Sequence, residues 1–506
     1  MSMSALHDRI EGVLLGTAAG DALGAPYEFG PPLPAGTEVA MTGGGPWSPG
    51  EWTDDTAMAV AIAEAAARGG DLRADSVQDA VVARWREWSL SAKDVGIQTA
   101  AVLSEVASQG AITAVAARRA AASLHARTGR TAGNGSLMRT APVALAYLLA
   151  GKTGEQGGEQ AGEQAGERDM VQAARAISGL THHDPLAADA CVLWCSAIRH
   201  AVLSGAIDVR VGLRHLSDDS RDYWQDRIAE AERREPADFP HNGYVVQALQ
   251  GAWSAIHHTP EPAENPAAGV FRADRMRLAL EAAVRGGRDA DTVAAIAGGL
   301  LGAAYGASAV PLQWRARLHG WPRARARDLV TLASEVARRG IPDGFEGAYR
   351  GSETDTAVRH PYDEQVILGG VGALRRLPAG VDAVVSMCRL ADRDIRTDMP
   401  HVEVRLIDRP GLEDNPHLEF VLTETARAVE WLRGQGRTVL LHCVGAHSRT
   451  PTVAALYGSR LRGVSTAEAL QDVRNVLPGA DPNPAFRAAL RRLSFGETGS
   501  QPARRC

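Results

Sequence analysis

The first long apolar segment of this chain has a glycine at every fourth position. On an α-helix, residues four apart lie along one face, so residues 10 to 24 predict a helix with a stripe that carries no side chains. Glycine lowers helix propensity, and such a helix therefore needs a packing reason to form. A bare stripe supplies that reason, because a second helix can approach it closely. The glycines are Gly12, Gly16, Gly20 and Gly24. A later apolar run, residues 293 to 306, has the same spacing at Gly298, Gly302 and Gly306.

Length and charge limit the class of protein. At 506 residues the chain is too long for one ordinary core, which predicts more than one domain. It is 45% hydrophobic and 23% charged, as is typical of a soluble globular protein. The net charge of −6 gives no general attraction to nucleic acid or to an anionic membrane, so we do not expect a nucleic-acid partner.

Cysteine usage and hydropathy favour a cytoplasmic protein. The five cysteines are few, odd in number and irregularly spaced, which predicts neither a disulfide framework nor a zinc site and fits a reducing compartment. Residues 1 to 11 contain no apolar signal core. Because no run of about 18 uninterrupted apolar residues exists, we expect no membrane span.

Two adjacent carboxylates, flanked by threonines, lie just before an alanine-rich run. The motif is Thr53-Asp54-Asp55-Thr56, and residues 57 to 67 predict a helix that begins there. Acids at a helix N-terminus often accept backbone N–H bonds and complement the helix dipole. Capping needs only one acid, however, and two neighbouring carboxylates repel each other unless a cation lies between them. From this motif alone, a helix cap and a metal site are equally good explanations.

A second acid pair recurs at the start of another predicted helix. Asp289-Ala290-Asp291-Thr292 directly precedes the later apolar run. Two such clusters, far apart in sequence, can face one another in a helical bundle. Carboxylate and threonine oxygens are hard ligands, suited to Mg²⁺ or Mn²⁺ and not to zinc. The recurrence therefore favours a metal site over capping.

Several polar residues between these pairs have two explanations each. Gly133-Asn134-Gly135-Ser136 can turn successive N–H groups toward a phosphate, with Arg139 nearby, or can simply be a tight interhelical turn. His182 lies in a polar loop and either contacts a substrate or is merely exposed. Glu28 taken by itself is best explained as a surface loop acid. Residues 153 to 168 form a degenerate Gly-Glu-Gln repeat with nothing to bury, which predicts a mobile surface insertion.

Five separate motifs, in this order along the chain, resemble the ADP-ribosylglycohydrolase family over about residues 6 to 330. The resemblance implies an all-α fold and hydrolysis of the bond between ADP-ribose and an acceptor. The motifs are Gly20-Asp21-Ala22-Leu23-Gly24-Ala25-Pro26-Tyr27-Glu28, Thr53-Asp54-Asp55-Thr56, Gly133-Asn134-Gly135-Ser136-Leu137-Met138-Arg139, Thr181-His182 and Asp289-Ala290-Asp291-Thr292.

The same resemblance implies a role for individual residues and a centre of two metal ions, Mg²⁺ or Mn²⁺. Glu28 matches an acid that is catalytic or gating in some members, and Asp54 or Asp55 could equally take a proton from the attacking water. Arg288 departs from the family, which often has glycine there, and it could contact the acceptor. The metal-ligand positions are Thr53, Asp54, Asp55, Asp289, Asp291 and Thr292. The positions that hold ADP-ribose are Gly133, Asn134, Gly135, Ser136 and His182.

Beyond residue 344 the pattern changes to short β-rich runs that alternate with helices. This alternation is typical of a mostly parallel α/β sheet. The predicted strands are residues 381 to 388, 403 to 407 and 438 to 441, and the predicted helix between the last two is residues 420 to 432. We therefore predict an all-α domain at residues 1–335, a linker at 336–344 and an α/β domain at 345–506.

The last of these strands leads directly into Cys443, and Arg449 follows at the start of another predicted helix. Backbone N–H groups of such a loop surround a phosphate at the helix N-terminus, and the same field stabilises a thiolate nucleophile. The planar guanidinium of Arg449 can grip two phosphate oxygens, and Thr450 can donate to the sulfur as it leaves. The alternative is a buried cysteine at the end of a strand.

This segment, about residues 345 to 495, resembles the dual-specificity and tyrosine phosphatases. The resemblance implies hydrolysis of phosphate monoesters through a phosphocysteine, with an upstream aspartate that protonates the leaving oxygen. Asp408 is favoured because it directly follows a predicted strand, while Asp414 stays open. His447 stands where that family often has a small residue, and it could narrow the pocket or alter its pH dependence.

Together the two resemblances predict a bifunctional hydrolase without a membrane partner. Its substrates would be an ADP-ribosylated protein or ADP-ribose conjugate and a phosphorylated protein or metabolite. Two alternatives stay open at this point. One is a protein that binds ADP-ribose or a phosphorylated ligand with one domain inactive, and the other is a phosphatase that acts on a phosphorylated ADP-ribose-like metabolite.

Overall fold

The computed structural model describes residues 3–34, 36–148, 158–341, 349 and 353–494. Residues 3–341 are called the helical part and residues 353–494 the sheet part. The helices of the helical part are α1 Met3–Gly24, α2 Asp54–Ala67, α3 Asp75–Ser89, α4 Ile97–Ser108, α5 Ala114–Thr128, α6 Ala141–Ala146, α7 Gly158–Ser178, α8 Pro185–Ser204, α9 Asp218–Ala231, α10 Val245–His258, α11 Asp274–Arg285, α12 Ala290–Tyr305, α13 Leu312–Arg317 and α14 Ala326–Ala337. Its strands are β1 His319–Gly320 and β2 Ala324–Arg325, a small antiparallel pair that the all-α prediction did not include.

The sheet part contains five paired strands in the order β3-β4-β7-β5-β6. Its elements are β3 Ala357–His360, β4 Asp363–Gly369, α15 Val371–Arg375, β5 Ala383–Ser386, β6 His401–Glu403, α16 Leu418–Gly434, β7 Val439–His442, α17 Arg449–Arg462, α18 Thr466–Val476 and α19 Pro484–Leu493. Only β3 and β4 pair antiparallel among these strands, and the other three pairings are parallel. The prediction of a mostly parallel sheet is therefore confirmed.

One strand lies earlier in the chain than predicted. Residues 403 to 407 were expected to form it, but β6 covers His401–Glu403. β6 is an edge strand, and its neighbour β5 ends at Ser386, whose carbonyl accepts the Val404 N–H at 2.8 Å. No strand remains beyond this point for the ladder to continue. The Leu406 carbonyl instead accepts from Arg449, the first residue of α17, at 3.2 Å.

The glycine stripe of α1 packs directly on α12, as a bare helix face predicts. A Cβ built on Gly16 or Gly20 would lie less than 3 Å from the carbonyl oxygen of Gly298 or Ala294, respectively. The two helices therefore touch through backbone atoms along most of their length. This contact places Asp21, near the C-terminal end of α1, beside the first turn of α12.

Part of the repeat at residues 153–168, which we expect to be a mobile surface insertion with nothing to bury, is helical. Residues 149–157 lie outside the described residues, but α7 begins at Gly158. The four-residue period of the repeat is close to the helical period, so Glu163 and Glu167 lie on one side of the helix. Glu167 uses that side to pair with Arg214 and with His215, the latter at 2.9 Å.

Among the described residues, α8 alone is long and apolar enough to cross a membrane by length and composition. About 78% of the apolar window is buried inside the helical part. Cys191, Trp194 and Cys195 are all buried there. Its apolar composition is therefore explained by packing against the other helices.

The helical and sheet parts contact each other. The rings of Phe271 and Phe420 lie 5.7 Å apart in an edge-to-face arrangement. His417 stacks near Tyr305 and its Nε2 lies 2.8 Å from the Tyr305 carbonyl oxygen. Of the predicted linker, residues 342–344 lie outside the described residues, and α14 already ends at Ala337.

Two candidate active sites

The two predicted acid pairs meet where the end of α1 and the starts of α2 and α12 converge. Carboxylate oxygens of Asp21, Asp55 and Asp291 lie within 4.8 Å of one another. Carboxylate oxygens of Glu28, Asp289 and Asp291 also lie within 4.8 Å of one another, so Asp291 belongs to both groups. Acids that are widely separated in sequence therefore face one another, as the recurrence of the motif predicts. These residues, together with Asp54, are called the acid cluster.

The side chain of the N-cap residue caps neither α2 nor α12. The N-cap residues Thr53 of α2 and Asp289 of α12 make no side-chain cap bond. Asp21 instead satisfies the start of α2. Its Oδ1 accepts the Thr53 N–H at 2.9 Å, and its Oδ2 accepts the Thr56 N–H at 3.0 Å and the Thr56 hydroxyl at 2.6 Å. With this cap supplied from α1, the acid pair of α2 is not needed for capping.

Burial and mutual repulsion raise the pKa values of these carboxyl groups. Burial first raises the pKa of Asp21 to about 6, and burial with the charge of Asp21 raises the pKa of Asp54 to about 7. Burial and neighbouring acids raise the pKa of Glu28 to about 8. The pKa values of Asp55 and Asp291 lie well above the ordinary range for the same reasons. Carboxyl groups packed in this way hold protons near neutral pH unless a cation neutralises them.

The donor set fits a hard divalent cation. Asp55 Oδ1 is buried and has no hydrogen-bond partner within the described residues, while Oδ2 accepts the Thr53 hydroxyl at 2.9 Å. A buried carboxylate oxygen without a partner is unfavourable, and a cation is the partner that such an oxygen would take. Thr292 is buried next to Asp291, whose Oδ1 accepts the Thr292 N–H at 2.9 Å. All of these donors are oxygens, as Mg²⁺ and Mn²⁺ prefer.

The glycine-rich loop lies beside the acid cluster. The Asn134 side chain donates to Asp289 Oδ2 at 2.7 Å and to the Asn242 carbonyl at 2.9 Å. Its backbone N–H donates to the Gly243 carbonyl at 3.1 Å, and Ser136 is buried in the same turn. The predicted ADP-ribose loop is therefore joined directly to a predicted metal ligand.

His182 lies against the two glycines of that loop. A Cβ built on Gly133 would lie 3.3 Å from His182 Nε2, and one on Gly135 would lie 3.2 Å from Cε1. The ring Nδ1 lies 2.7 Å from Thr181 Oγ1, which accepts from Arg139 Nη2 at 2.6 Å. The hydroxyl hydrogen of Thr181 is then available to Nδ1, which leaves a hydrogen on Nε2, toward the loop. Burial and the charge of Arg139 lower the pKa of His182, so its ring is neutral.

Arg139 is not the phosphate ligand that its place after the loop suggested. Its side chain is fully buried, its guanidinium carbon lies 4.0 Å from the centre of the Trp85 ring, and burial lowers its pKa to about 9. Arg139 donates to the Thr181 hydroxyl, which in turn contacts Nδ1 of His182. Arg139 lies near the loop, as noted from the sequence, but its guanidinium packs on Trp85 and donates to Thr181.

Two acids of this site were missed by reasoning from motifs. Asp94 lies on the loop after α3, and its charge contributes to the raised pKa values of Asp54 and Glu28. Nothing local distinguishes it from a surface acid. Asp21 did carry a signal, because it is the one charged residue between Gly12 and Gly24 of an otherwise apolar helix. A buried lone carboxylate of this kind needs a partner.

The loop that carries Glu28 is joined to the loop before α12. The Phe29 N–H donates to the Arg288 carbonyl at 2.6 Å, and the Arg288 N–H donates to the Gly30 carbonyl at 2.7 Å. Phe29 and Arg288 both have positive φ, 59° and 61°, and Phe29 is 80% exposed. This connection brings Glu28 to Asp289 and leaves Arg288 at the edge of the acid cluster.

The second site lies between the end of β7 and the start of α17. Cys443 directly follows β7 and is buried, and Arg449 is the first residue of α17. Ala446, midway along the loop, has a φ of 53°. Arg449 Nη1 donates to the carbonyls of Met387 at 2.8 Å and Leu406 at 3.2 Å. The strand, loop and helix that the sequence predicts are all present, and residues 443–449 are called the Cys443 loop.

Asp408 approaches the Cys443 loop from the segment after β6. Its Oδ1 accepts from Ser448 Oγ at 2.7 Å and from Asn483 Nδ2 at 2.9 Å. Its Oδ2 lies 3.7 Å from Arg449 Nε, and 32% of its side chain is exposed. A carboxyl group therefore lies at the open side of the loop, held by two donors.

The remaining residues of this region have different surroundings. Asp414 is buried, and its carboxylate lies 4.0 Å from Arg409 Nη1. The Thr450 hydroxyl donates to the Gly369 carbonyl at 3.3 Å, so a bond to the sulfur stays a prediction. His447 is exposed and its Nδ1 bonds the Gly479 carbonyl, which turns the ring away from the loop toward the segment before α19.

Comparison with known proteins separates the same two regions. Dual specificity protein phosphatase 1 of Arabidopsis thaliana is 32% identical over 110 residues. This match covers 22% of the present chain and 52% of that protein, so the chain spans about half the length of this relative.

The matches to ADP-ribosyl hydrolases are longer. The ADP-ribosyl-dinitrogen reductase glycohydrolase of Rhodospirillum rubrum is 30% identical over 331 residues, 63% of this chain and 92% of that protein. ADP-ribosylarginine hydrolase Tri1 of Serratia proteamaculans is 27% identical over 322 residues, 62% of this chain and 75% of that protein. The family model for ADP-ribosylglycohydrolase matches residues 2–344, which contain the whole acid cluster. The chain therefore belongs to the ADP-ribosylglycohydrolase family.

Proposed function

We propose that this chain is a bifunctional hydrolase with two domains, residues 1–335 and 345–506, joined by a linker at 336–344. The first domain removes ADP-ribose from a modified acceptor. The second hydrolyses a phosphate monoester with a cysteine nucleophile. The proposed acceptor is a modified protein, in line with the names of the two hydrolase relatives.

The acid cluster is the observation that carries the first activity. It gathers carboxylates from both predicted pairs around Asp55 Oδ1, an oxygen without a hydrogen-bond partner in the described structure. Thr53, Asp54, Asp55, Asp289, Asp291 and Thr292 would hold two Mg²⁺ or Mn²⁺ ions, with Asp21 as a further ligand or as the group that orients α2. Such ions supply a polarised water and a hold on vicinal ribose hydroxyls.

The chain's own groups then have separate tasks. Glu28 is placed to accept the proton of the attacking water, because its carboxylate lies among Asp289 and Asp291 on a loop at the edge of the cluster. The Gly133–Ser136 turn and the Nε2–H of His182 bind and orient the ADP-ribose moiety. Asn134 couples binding to the cluster through its bond to Asp289.

A product assay tests this activity. ADP-ribosylated proteins with arginine, serine or other linkages would be incubated with Mg²⁺ or Mn²⁺, and released ADP-ribose would be quantified by chromatography. Asp54→Ala combined with Asp289→Ala should abolish release. Asp219→Ala is the matched control, since Asp218 and Asp219 are an exposed acid pair in the first turn of α9. Undiminished release by the double variant would contradict the assignment of the cluster.

The contact between Asp408 and the Cys443 loop carries the second activity. The Cys443 thiolate attacks phosphorus and forms the S–P bond, while the bond to the leaving oxygen breaks and Asp408 supplies its proton. Water then attacks phosphorus and forms a P–O bond, while the S–P bond breaks to return the Cys443 thiolate and Asp408 takes the proton of that water. Arg449 holds the phosphoryl oxygens through both steps. Asp408 is preferred to Asp414 because its carboxylate contacts Ser448 and Arg449 of the Cys443 loop, whereas that of Asp414 lies beside Arg409.

Turnover of an aryl phosphate tests this activity. Cys443→Ser should abolish turnover, whereas Cys191→Ser, in the helical part, should retain it. Brief mixing with substrate followed by acid quench and mass spectrometry should reveal a phosphorylated Cys443 peptide. Parallel assays on phosphopeptides and on phosphorylated nucleotides would decide between a protein and a metabolite as the substrate. Binding of both ligand types without any product would favour a binding protein instead.

A further inference from the structure

We propose that Arg405 is a positioning residue through which helix α1 of the helical part holds the Asp408 loop of the phosphatase site. This inference rests on the proposed phosphatase activity of the sheet part. It assigns to the helical part a second task, which is to support the general acid of the other active site.

Arg405 reaches across from the sheet part to the first turns of α1. Its Nη2 donates to the Ser4 carbonyl at 2.5 Å. Its Nε lies 3.5 Å from Asp8 Oδ1 and 3.7 Å from Glu11 Oε2. Only 14% of the Arg405 side chain and 1% of the Asp8 side chain are exposed, so solvent screens this contact weakly.

On its own side, Arg405 lies at the base of the loop that carries Asp408. Its Nη1 donates to the Asp414 carbonyl at 3.5 Å, at the far end of that loop. The two ends are also joined by Asn415, whose side chain accepts the Ile407 N–H at 2.9 Å and donates to the Ile407 carbonyl at 2.8 Å. Arg405 therefore connects both ends of the loop to α1.

The same backbone segment touches the phosphate-binding arginine. The carbonyl of Leu406, the residue after Arg405, accepts from Arg449 Nη1 at 3.2 Å. Asp408 follows two residues later and contacts Ser448 and Arg449. A shift of the backbone at Arg405 would therefore move the acid relative to the leaving oxygen, while Cys443 and its loop remain held by β7 and α17.

The anchor on α1 is held firmly in place. Asp8 accepts the Ser308 N–H at 3.0 Å and the Ser308 hydroxyl at 2.5 Å. Ser308 lies just beyond the end of α12, and α1 contacts α12 through the glycine stripe. A buried anion held in this way is a fixed point for the guanidinium, since moving either group would leave a charge unpaired.

General-acid positioning has a specific kinetic signature. Protonation matters more when the leaving group is more basic, so a displaced acid slows a poor leaving group more than a good one. A change that merely destabilises the fold lowers the amount of active enzyme and slows both substrates by the same factor. The ratio of the two rates therefore separates positioning from a general structural effect.

The test measures kcat and KM of the full-length protein on phenyl phosphate and on para-nitrophenyl phosphate, whose leaving group is less basic. Arg405→Ala should lower kcat for phenyl phosphate about tenfold more than for para-nitrophenyl phosphate, with KM nearly unchanged. Glu11→Gln, a change in the other part of the chain, should shift the ratio in the same direction by a smaller factor. Arg405→Lys should retain part of the wild-type ratio.

Arg327→Ala is the matched control. Arg327 also connects the two parts, because its Nη2 donates to Asp392 Oδ1 at 2.6 Å, but the Asp392 side chain is 99% exposed. For Arg327→Ala, the ratio of kcat on phenyl phosphate to kcat on para-nitrophenyl phosphate should equal that of the wild type. An unchanged ratio in both Arg405→Ala and Glu11→Gln, or an equal loss on both substrates, would overturn the positioning role of Arg405.

If the wild-type protein shows no Cys443-dependent turnover, the proposed phosphatase function is overturned, and the role of Arg405 with it. Melting temperature and ADP-ribose release of each variant show whether the fold and the acid cluster are intact.

Discussion

The acid cluster and the Cys443 loop are built in opposite ways. The cluster takes its carboxylates from three helices and a loop, at positions between 21 and 291. The Cys443 loop takes its nucleophile and its arginine from one segment of seven residues between β7 and α17. The cluster therefore depends on how α1 packs against α12, whereas the loop depends mainly on its own strand and helix. Mutations that disturb the packing of α1 on α12 should therefore affect the acid cluster and not the Cys443 loop.

The largest expected effect concerns Asp408, which lies outside the Cys443 loop and contacts it. Asp408→Asn should lower phosphatase turnover by about 10²–10³-fold, because general acid catalysis contributes this much. ADP-ribose release should not change. Asp414→Asn is the control, and it should cost far less turnover, since the Asp414 carboxylate lies beside Arg409 while that of Asp408 accepts from Ser448 of the Cys443 loop. A larger loss at Asp414 than at Asp408 would exchange their roles.

Packing of α1 on α12 gives the next effect. Gly16→Ala places a methyl group less than 3 Å from the Gly298 carbonyl oxygen, so we expect the free energy of unfolding to fall by about 3 kcal/mol. ADP-ribose release should fall as the acids move apart. Gly434→Ala, with nothing within 4 Å of the added Cβ, should be neutral or slightly stabilising. Denaturant titration and the product assay measure both effects, and equal behaviour of the two variants would refute the close contact.

The cap that Asp21 supplies should be measurable in catalysis. Asp21→Asn keeps the size of the side chain but removes the charge that accepts three bonds from Thr53 and Thr56. We expect ADP-ribose release to fall about 10- to 100-fold, the range that is typical when groups supporting a metal site are changed. Phosphatase turnover should stay constant. Metal affinity measured by calorimetry should weaken in parallel with release, and unaltered affinity would limit Asp21 to a structural role.

The smallest expected effect lies at the boundary between the two regions. Burial outweighs the nearby Arg405 and raises the pKa of Glu11 from its ordinary value to about 7. The folded state therefore binds more protons than the unfolded state between pH 4.5 and 7, and the stability that Glu11 contributes is lost as pH rises through this window. Asp8, Arg315 and Ser334 also face this carboxyl group.

Glu11→Gln removes this titration. The stability of the variant relative to the wild type should rise by about 1–2 kcal/mol between pH 5 and pH 8, less than the full pKa shift implies because 21% of the side chain is exposed. Chemical denaturation at both pH values measures the difference. A constant difference would mean that Glu11 titrates alike in the folded and unfolded chain.

Local patterns predicted much of the fold. The glycine stripe predicted a closely approached helix, and the alternating runs beyond residue 344 predicted a mostly parallel sheet. The limits of β6 were wrong because strand ends depend on a partner, and β5 offers none beyond Ser386. The composition of residues 153–168 predicts a mobile surface insertion with nothing to bury, but part of this repeat forms α7, where Glu167 pairs with Arg214 and His215.

The sequence likewise predicted some residues of the sites and missed others. The sequence could single out the acids that form pairs at predicted helix starts, which are Asp54, Asp55, Asp289 and Asp291. Asp94 did not, because its nearness to Asp54 exists only in the folded chain. The position of Arg139 after the glycine-rich loop says nothing about the direction of its side chain, which packs on Trp85.

The sequence by itself determined which chemistry is present: hard oxygen donors at two helix starts, and a cysteine and an arginine at the spacing of a phosphate-binding loop. These are properties of residue type and short spacing. Only the tertiary structure decided which acid caps α2, which carboxyl groups share a cluster, and that Arg405 joins the Asp408 loop to α1. Each of these depends on contacts between residues distant in sequence, and such contacts follow from how helices and sheet pack, which no local pattern encodes.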